Sequence, residues 1–269
     1  MIRGGPKKAE DSSLHLPRML CLHGGGTNAQ IFRAQCRALE AHLKSSFRFC
    51  YAEAPFPSDA GPDVLSVYQD YGPFKRWLPW LPEHPILDST TGVEAIDRSL
   101  ETAMKEDDRK GATGDWVALL GFSQGAKVSA SLLLRQQARA DKSGHGVGSN
   151  YRFAVLLAGR APLVALDPPE PKSSSTLVDA AGTQYPAVPE DQTFGVSKQT
   201  LRLPTIHVHG LQDPGLHLHR QLLEQCCEKG STRLVEWNGN HRLPIKTQDV
   251  SLVVEQILAV AKETGVLEK

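Results

Sequence analysis

The feature that most constrains the fold is an almost uninterrupted apolar run at residues 116–123, which reads WVALLGFS. A run of this length and composition is typical of a strand that is buried on both faces, as in the middle of a parallel sheet. An amphipathic helix pattern begins directly after it, at Gln124. Similar strand-like and helix-like segments alternate along the chain. This alternation predicts an α/β protein in which helices flank a mostly parallel sheet.

The same patterns place the individual elements. Strands are predicted at residues 18–22, 47–52, 116–123, 153–158, 205–210 and 233–239. Helices are predicted, from apolar residues at helical spacing, at 31–43, at 92–105, from 124 onward and at 247–263. The chain has 269 residues, a length that suits one large α/β domain, so we expect a single domain over 1–269.

Two segments depart from this alternation. Residues 1–16 are polar and charged and lack the apolar core of a signal peptide, so we expect a frayed leader before the first strand. Residues 162–203 are rich in Pro, Ser, Thr, Asp and Gly, and they connect two predicted strands. Long excursions of this kind are usually functional. We therefore expect 162–203 to form a cap or lid over the functional site rather than a second domain.

The junction between the apolar run and the helix reads Gly121-Phe122-Ser123-Gln124-Gly125. This is the G-x-S-x-G pattern of a nucleophile elbow, in which a sharp strand-to-helix turn presents a serine hydroxyl above the sheet. The glycines leave room for the backbone that crowds the turn. The helix N-terminus favours the negative charge that develops on a substrate oxygen. Because a strand precedes the pentapeptide and a helix follows it, Ser123 is the candidate nucleophile.

A serine nucleophile needs an acid and a base, which in this kind of sheet follow in the order Ser, Asp or Glu, His. Asp213 lies in the loop after the predicted strand TIHVHG, and His241 lies in the loop after the last strand. Because the carboxyl ends of parallel strands share one edge, all three side chains reach the same place. The alternatives are a turn aspartate before Pro214 and a surface histidine. The order and the placement favour a catalytic triad on an α/β-hydrolase fold.

The turn after the first strand, LHGGGTNA, is the second marker of this fold. A substrate oxyanion needs two backbone N–H donors, one from the residue after the nucleophile and one from this earlier turn. These positions are Gln124 and Gly25, whereas we interpret His23 as a structural hydrogen-bonding residue of the turn. The alternative is a phosphate-binding glycine loop. No P-loop lysine follows the turn and G-x-G-x-x-G is absent, so an oxyanion hole is favoured.

The net charge, the cysteines and the histidines indicate which kinds of partner, metal and compartment to expect. Lys plus Arg and Asp plus Glu both number 30, which gives no electrostatic reason to expect nucleic acid or a membrane surface. The 5 cysteines include no CxxC pair and suit a reducing compartment, so we expect a cytoplasmic protein. With no cysteine or paired carboxylate nearby, we interpret four neighbouring histidines as core or loop residues with satisfied hydrogen bonds: His207, His209, His217 and His219. We expect no metal and no cofactor.

Several segments together carry a family resemblance: LCLHGGGTNA, AEAPFP, GFSQGAKVSA, HGLQDP and GNHRLP. From about residue 17 to residue 260 the chain resembles the fungal FSH-type serine hydrolases. GFSQG alone is shared with acyl-protein thioesterases and other carboxylesterases. The resemblance implies a single-domain esterase or thioesterase, of a family in which some members are encoded beside polyketide synthases. It also implies Ser123, Asp213 and His241 as nucleophile, acid and base.

An aromatic segment, residues 68–80, suggests what the site accepts. It is interrupted by Pro and Gly, so its rings do not form the stripe of a helix. We interpret Phe74, Trp77 and Trp80 as a wall of an apolar acyl pocket, because the segment follows a strand end on the side of the site. The alternative is a loop that its rings hold against the core.

These residues together predict acyl transfer through an acyl-enzyme, with water as the second acceptor. The substrate is expected to be a small-molecule ester or thioester with an apolar acyl group. The family resemblance adds a polyketide chain on an acyl carrier protein as a form of that substrate. An acyltransferase, a peptidase and a catalytically silent ligand-binding protein are the alternatives.

Overall fold

The computed structural model describes residues 11–62, 64–85, 88–143, 148–167, 177–180 and 200–268. The strands are β1 (Arg18–Leu22), β2 (Arg48–Ala52), β3 (Phe56–Pro57), β4 (Lys75–Arg76), β5 (Trp116–Phe122), β6 (Phe153–Leu157), β7 (Val164–Ala165), β8 (Val178–Asp179), β9 (Thr205–Gly210) and β10 (Thr232–Trp237). The helices are α1 (Ala29–Gln35), α2 (Arg37–Leu43), α3 (Leu65–Tyr68), α4 (Ser89–Arg109), α5 (Gln124–Ser143), α6 (Leu216–Gln225) and α7 (Thr247–Glu263). A short 3-10 helix spans Gln69–Tyr71.

Six strands form one sheet in the order β10-β9-β6-β5-β1-β2, and every neighbouring pair is parallel. This confirms the predicted α/β-hydrolase fold with a mostly parallel sheet. The apolar run is β5, which lies between β1 and β6. Because all six strands run the same way, the loops that follow β1, β5, β9 and β10 meet at one edge of the sheet. Two small two-stranded sheets, β3-β4 and β7-β8, lie apart from it.

Helices cover both faces of the sheet, and each face has its own apolar core. Successive residues of a strand point to opposite faces, so Leu119 joins the core under α4 and α5 whereas Leu120 joins the core under α1, α2 and α7. Burying one such leucine contributes about 2 kcal/mol. Among the described helices, none combines the length and the apolar character that a membrane crossing needs.

The short elements β3, β4, β7, β8 and α3 and the 3-10 helix were not predicted, and the longer elements differ from the sequence predictions in two places. The predicted helix 31–43 is two helices, α1 and α2, which meet at Cys36. Helix α6 was not predicted, because its buried face combines Leu218 and Leu222 with His219, and a histidine interrupts the apolar period. The other predicted strands and helices lie within a few residues of their observed bounds.

The prediction of a frayed leader is wrong for residues 11–16. The carbonyl oxygen of Leu14 accepts a hydrogen bond from the Thr113 N–H at 2.8 Å. Arg48 donates to the carboxylate of Asp11 at 2.7 Å and to the hydroxyl of Ser13 at 2.6 Å. The segment is therefore attached to the edge of the sheet by hydrogen bonds that its polar composition made possible. Residues 1–10 lie outside the described residues.

The structure describes only part of the predicted cap, 162–203. Its described parts are 162–167, 177–180 and 200–203, and they include the parallel pair β7-β8. The rest of the predicted cap lies outside the described residues, so the cap stays a prediction.

A buried ion cluster joins helix α4 to the first two strands. Arg48 donates to the carboxylate of Asp107 through Nε at 2.9 Å and through Nη2 at 2.8 Å. Nη1 of Arg18 lies 3.6 Å from the same carboxylate, and Asp107 is only 1% exposed. Burial raises the pKa of Asp107, but the hydrogen bonds from Arg48 outweigh it and hold that pKa below its ordinary value. The charges offset each other, as buried charges must.

We expect the Asp107→Asn variant to be destabilised by about 3 kcal/mol, because it leaves two largely buried arginines without their shared carboxylate. The measurement is the free energy of unfolding in urea. The matched control is Glu101→Gln on the same helix, which removes an exposed partner of Lys105 and should change stability by less than about 0.5 kcal/mol. Equal effects of the two changes would contradict a structural role for the cluster.

Candidate active site

Ser123 lies between β5 and α5 with a φ of +53°, in the left-handed region that non-glycine residues rarely adopt. Two hydrogen bonds hold it there. Its N–H donates to the carbonyl oxygen of Leu157 at 2.8 Å, and its own carbonyl oxygen accepts from the N–H of Lys127 at 3.1 Å. Surrounding structure therefore over-determines the turn, which is the condition under which such backbone strain persists at a functional site.

The two glycines of the pentapeptide are required by close backbone packing. A Cβ atom on Gly121 would lie 2.4 Å from the carbonyl oxygen of Gly125. A Cβ atom on Gly125 would lie 2.1 Å from the carbonyl oxygen of Leu22, at the end of β1. Neither contact can be relieved by a side-chain movement, since both are with main-chain atoms. The first turn of α5 is thus pressed against the strand ends, and the serine projects from them.

The structure brings the three predicted side chains together. Nε2 of His241 lies 2.9 Å from Oγ of Ser123, and Nδ1 of His241 lies 2.5 Å from Oδ2 of Asp213. The other carboxylate oxygen of Asp213 accepts from the Gly215 N–H at 2.8 Å. Since a carboxylate only accepts, His241 carries its proton on Nδ1 and presents Nε2 to the serine hydroxyl as an acceptor.

The electrostatics of this pair favour an ionised acid. Burial raises the pKa of Asp213, but the hydrogen bond and the charge of His241 outweigh burial and lower that pKa below its ordinary value. Asp213 therefore stays a carboxylate at neutral pH. A carboxylate at this position can orient the imidazole and stabilise the imidazolium that forms when it takes a proton.

The two positions predicted for the oxyanion hole are neighbours. Gly25 and Gln124 both line the cavity that contains Ser123. The N–H of Gly26 is used by the carbonyl oxygen of Lys75 at 2.9 Å. Within the described part of the chain, the N–H groups of Gly25 and Gln124 have no hydrogen-bond partner. Two N–H donors thus remain for a ligand beside the serine.

The side chain of Gln124 has a structural task that sequence reasoning missed. Its Oε1 accepts from the N–H of Trp77 at 2.7 Å and from the N–H of Leu78 at 3.1 Å. Its Nε2 donates to the carbonyl oxygen of Leu78 at 3.0 Å. The amide therefore holds the aromatic segment against the elbow. Nothing in the pentapeptide signals this, because the position tolerates any residue in the G-x-S-x-G pattern.

A cavity of about 730 Å³ contains Ser123 and His241 in its wall. Most of the wall is apolar, formed by Val64, Val67, Tyr68, Leu78, Trp80, Leu218, Leu243 and Ile245 among the described residues. A pocket of this size and character suits an apolar ligand of drug-like or larger size.

Of the three residues predicted to form an aromatic wall, Trp80 lines the cavity and the other two do not. Contact of Trp80 with an acyl group stays a prediction. Trp77 is fully buried in the core, where its Nε1 donates to the carbonyl oxygen of His23 at 2.9 Å. Phe74 does not line the cavity either. Trp80 does, together with Tyr68 of the same segment. In an irregular loop, sequence has no period from which to infer the direction of each ring, and so the segment both braces the core and lines the cavity.

A row of buried histidines lies behind the catalytic pair. Nε2 of His219 is 3.6 Å from Oδ2 of Asp213, and the ring of His219 is 5.4 Å from that of His209. Within the described residues, neither ring makes a hydrogen bond. Burial lowers the pKa of His207, His209 and His219, so all three are neutral at neutral pH. All three are buried core residues, as predicted. The prediction that such histidines have satisfied hydrogen bonds is wrong for His209 and His219 among the described residues.

Two basic side chains beside the nucleophile were not predicted. Lys127 is only 7% exposed and lines the cavity, one helical turn after Ser123. Arg160 lines it too, and its Nη2 lies 3.8 Å from Oδ1 of Asp213. In the sequence, Lys127 has the spacing of an ordinary helix residue and Arg160 stands alone after a strand. Neither pattern signals a site.

A serine on a strained elbow of a parallel sheet, within hydrogen-bonding distance of a histidine that an aspartate orients, defines a serine hydrolase of the α/β-hydrolase fold. Solved structures agree with the fold. A Bacillus cereus carboxylesterase superposes with a TM-score of 0.52 at 16% identity, covering 93% of this chain and 91% of that chain. The Agrobacterium tumefaciens protein Atu2452, of unknown function, gives 0.51 at 17% identity, covering 93% and 94%.

The family follows from sequence comparison: residues 13–253 match the family described as Serine hydrolase (FSH1), and the chain belongs to it. It is 58% identical to esterase pigG of Monascus ruber, over 98% of each chain. It is 56% identical to esterase citA of Monascus ruber, over 95% of this chain and 96% of that protein. It is also 55% identical to esterase claE of Penicillium crustosum, over 96% and 97%. The predicted resemblance is confirmed, and the chain is a serine hydrolase of the esterase type.

Proposed function

We propose that the chain hydrolyses an ester or thioester of an apolar acyl group through an acyl-enzyme on Ser123. One observation carries this proposal. The Ser123, His241 and Asp213 side chains form a continuous hydrogen-bonded series, with distances of 2.9 and 2.5 Å, in the wall of a largely apolar cavity.

In the proposed cycle the hydroxyl of Ser123 attacks the substrate carbonyl while Nε2 of His241 takes its proton. Asp213, ionised throughout, holds the imidazole and stabilises its charged form. The N–H groups of Gly25 and Gln124 stabilise the oxyanion. His241 then protonates a departing alcohol, whereas a thiol can leave as the thiolate. Water repeats the attack and releases the acid.

The nature of the substrate rests on two supports. Apolar residues make up most of the described cavity wall, which favours an apolar acyl group. The relatives at 55–58% identity are named as esterases, and the family resemblance adds a polyketide acyl chain on a carrier protein. A thioester on such a carrier suits this site, because thiolate departure needs little help from a general acid.

We propose that this chemistry needs no metal. The donor atoms of Asp213, His219 and His241 do lie within 4.8 Å of one another, a spacing that a metal site would also show. However, Nδ1 of His241 is only 2.5 Å from Oδ2 of Asp213, which leaves no room for a cation between them. Dialysis against EDTA should therefore leave the rate unchanged, and a loss of activity that Zn²⁺ restores would contradict this.

We also propose a cytoplasmic location. All five cysteines are free thiols, and four of them are buried, which suits a compartment that keeps thiols reduced. Fractionation of the producing cells tests this, and recovery of the protein in the secreted fraction would contradict it.

Ser123→Ala and His241→Ala should each lower kcat for a p-nitrophenyl ester by about 10³-fold or more, because the members of a triad act as a unit. Asp213→Asn should also cause a large loss, because an amide favours the wrong imidazole tautomer. The unfolding temperature of Ser123→Ala should match that of the parent protein. A fluorophosphonate probe should label the parent protein and not Ser123→Ala. If the probe labels Ser123→Ala, or if that variant keeps a tenth of the parent rate, Ser123 is not the nucleophile.

Trp80→Ala should lower kcat/KM for octanoyl esters about tenfold more than for acetyl esters, because only the longer chain loses apolar contact. Trp77→Ala is the matched comparison. It empties a fully buried site, so it should cost about 3–5 kcal/mol of stability and affect both esters alike. A Trp80→Ala variant that loses acetyl and octanoyl activity in equal proportion would remove Trp80 from the acyl pocket.

A further inference from the structure

Among the residues that the structure describes, the charged side chains in the wall of the active-site cavity are all basic. Its described residues include four basic side chains, Arg37, Lys127, Arg160 and Arg242, and no acidic one. The whole chain, by contrast, has 30 basic and 30 acidic residues. Arg37 and Arg242 are exposed and lie where solvent screens them, but Lys127 and Arg160 are close to the nucleophile. The described part of the cavity wall is thus richer in basic side chains than the chain as a whole.

Arg160 has donor capacity that the surrounding protein does not use. Its Nε is buried, and among the described residues no group accepts a hydrogen bond from it. Its Nη2 lies 3.8 Å from Asp213, beyond hydrogen-bonding distance. The oxygens of Asp213 are engaged by His241 and by the N–H of Gly215. The side chain as a whole is 38% exposed, so the cost falls on Nε alone. A buried donor without an acceptor beside Ser123 indicates a ligand that accepts from it.

Lys127 adds a buried cation to the wall that also contains Arg160. It is 7% exposed and lies one helical turn from Ser123. Burial and, after it, the charge of Arg160 lower the pKa of Lys127 to about 7. Both side chains line the cavity that contains Ser123, so one ligand in it can contact both. An anion placed between them would offset the repulsion and hold both in the charged state.

We propose that Lys127 and Arg160 form a subsite for an anionic oxygen group of the substrate. The inference rests on the proposed function and narrows it, from apolar acyl esters in general to those that also bear an acidic group. Arg160 supplies planar donors that match a carboxylate or phosphate, and Lys127 supplies a point charge. The anion has two sources, a carboxylate on the acyl chain or a phosphate on a pantetheine leaving group.

The first arm of the test addresses the acyl chain. It compares the mono-p-nitrophenyl ester of suberic acid with its neutral counterpart, p-nitrophenyl methyl suberate. If the anion is on the acyl chain, the protein should hydrolyse the acid about tenfold or more faster in kcat/KM. Arg160→Gln and Lys127→Met should each reduce that preference by about tenfold, as expected when a charge-assisted hydrogen bond is lost.

The second arm addresses the leaving group. It compares the octanoyl thioesters of 4′-phosphopantetheine and of pantetheine, which differ only in the phosphate. A preference for the phosphate that Arg160→Gln and Lys127→Met reduce assigns the subsite to the leaving group. Arg160→Lys, which keeps the charge, should retain part of either preference. Lys105→Gln removes an exposed lysine on α4 and should leave both preferences as they are.

The outcomes separate this inference from the proposed function. The subsite is overturned if, in the parent protein, the two substrates of each pair have kcat/KM values within about twofold of each other. It is also overturned if a preference exists but survives in Arg160→Gln and Lys127→Met variants that melt at the parent temperature. In either case hydrolysis that disappears in Ser123→Ala keeps the proposed function. Hydrolysis that persists in Ser123→Ala would instead overturn the proposed function itself.

Discussion

The active site depends on how closely helix α5 approaches the end of β1. At Gly125 the helix backbone comes so near to the carbonyl oxygen of Leu22 that a methyl group cannot fit. That approach forces the chain between β5 and α5 into a turn with a left-handed serine, and it directs the N-terminal N–H of the helix toward the loop after β1. The hydroxyl and the two proposed oxyanion donors owe their relative positions to this one backbone contact.

Much of this could be predicted from the sequence, because the decisive residues stand at the ends of strands. Asp213 and His241 each follow a strand whose apolar composition is plain, and a parallel sheet brings such ends together. The register of β5 against β1 and β6 then settles the depth of Ser123. The apolar pattern of a sequence locates its strands, and so it also predicts which residues stand at the strand ends.

Other parts of the site could not be predicted, since they depend on where side chains point in segments without a period. Trp77 and Trp80 are three residues apart in one irregular loop, yet one is a core residue and the other lines the cavity. The amide of Gln124 holds the loop backbone at Trp77 and Leu78, a contact that the sequence does not signal. The position of Arg160 in the site likewise depends on residues that are distant in sequence, above all Asp213. The charge of the cavity is therefore visible only in three dimensions.

The three buried histidines behind Asp213 bind protons much less readily in the folded chain than in the unfolded chain. His207, His209 and His219 are buried and neutral, whereas in an unfolded chain each would titrate near pH 6.5. Below that pH the unfolded state binds protons that the folded state does not bind. The contribution of these histidines to the free energy of unfolding is therefore fully present above about pH 6.5 and is lost as the pH falls. Each ring contributes a slope of up to about 1.4 kcal/mol per pH unit, and the three together up to about 4 kcal/mol per pH unit. Unfolding curves between pH 7 and pH 5 measure this slope directly. The neutral rings that lie behind Asp213 thus also limit the acidity in which the folded protein can persist.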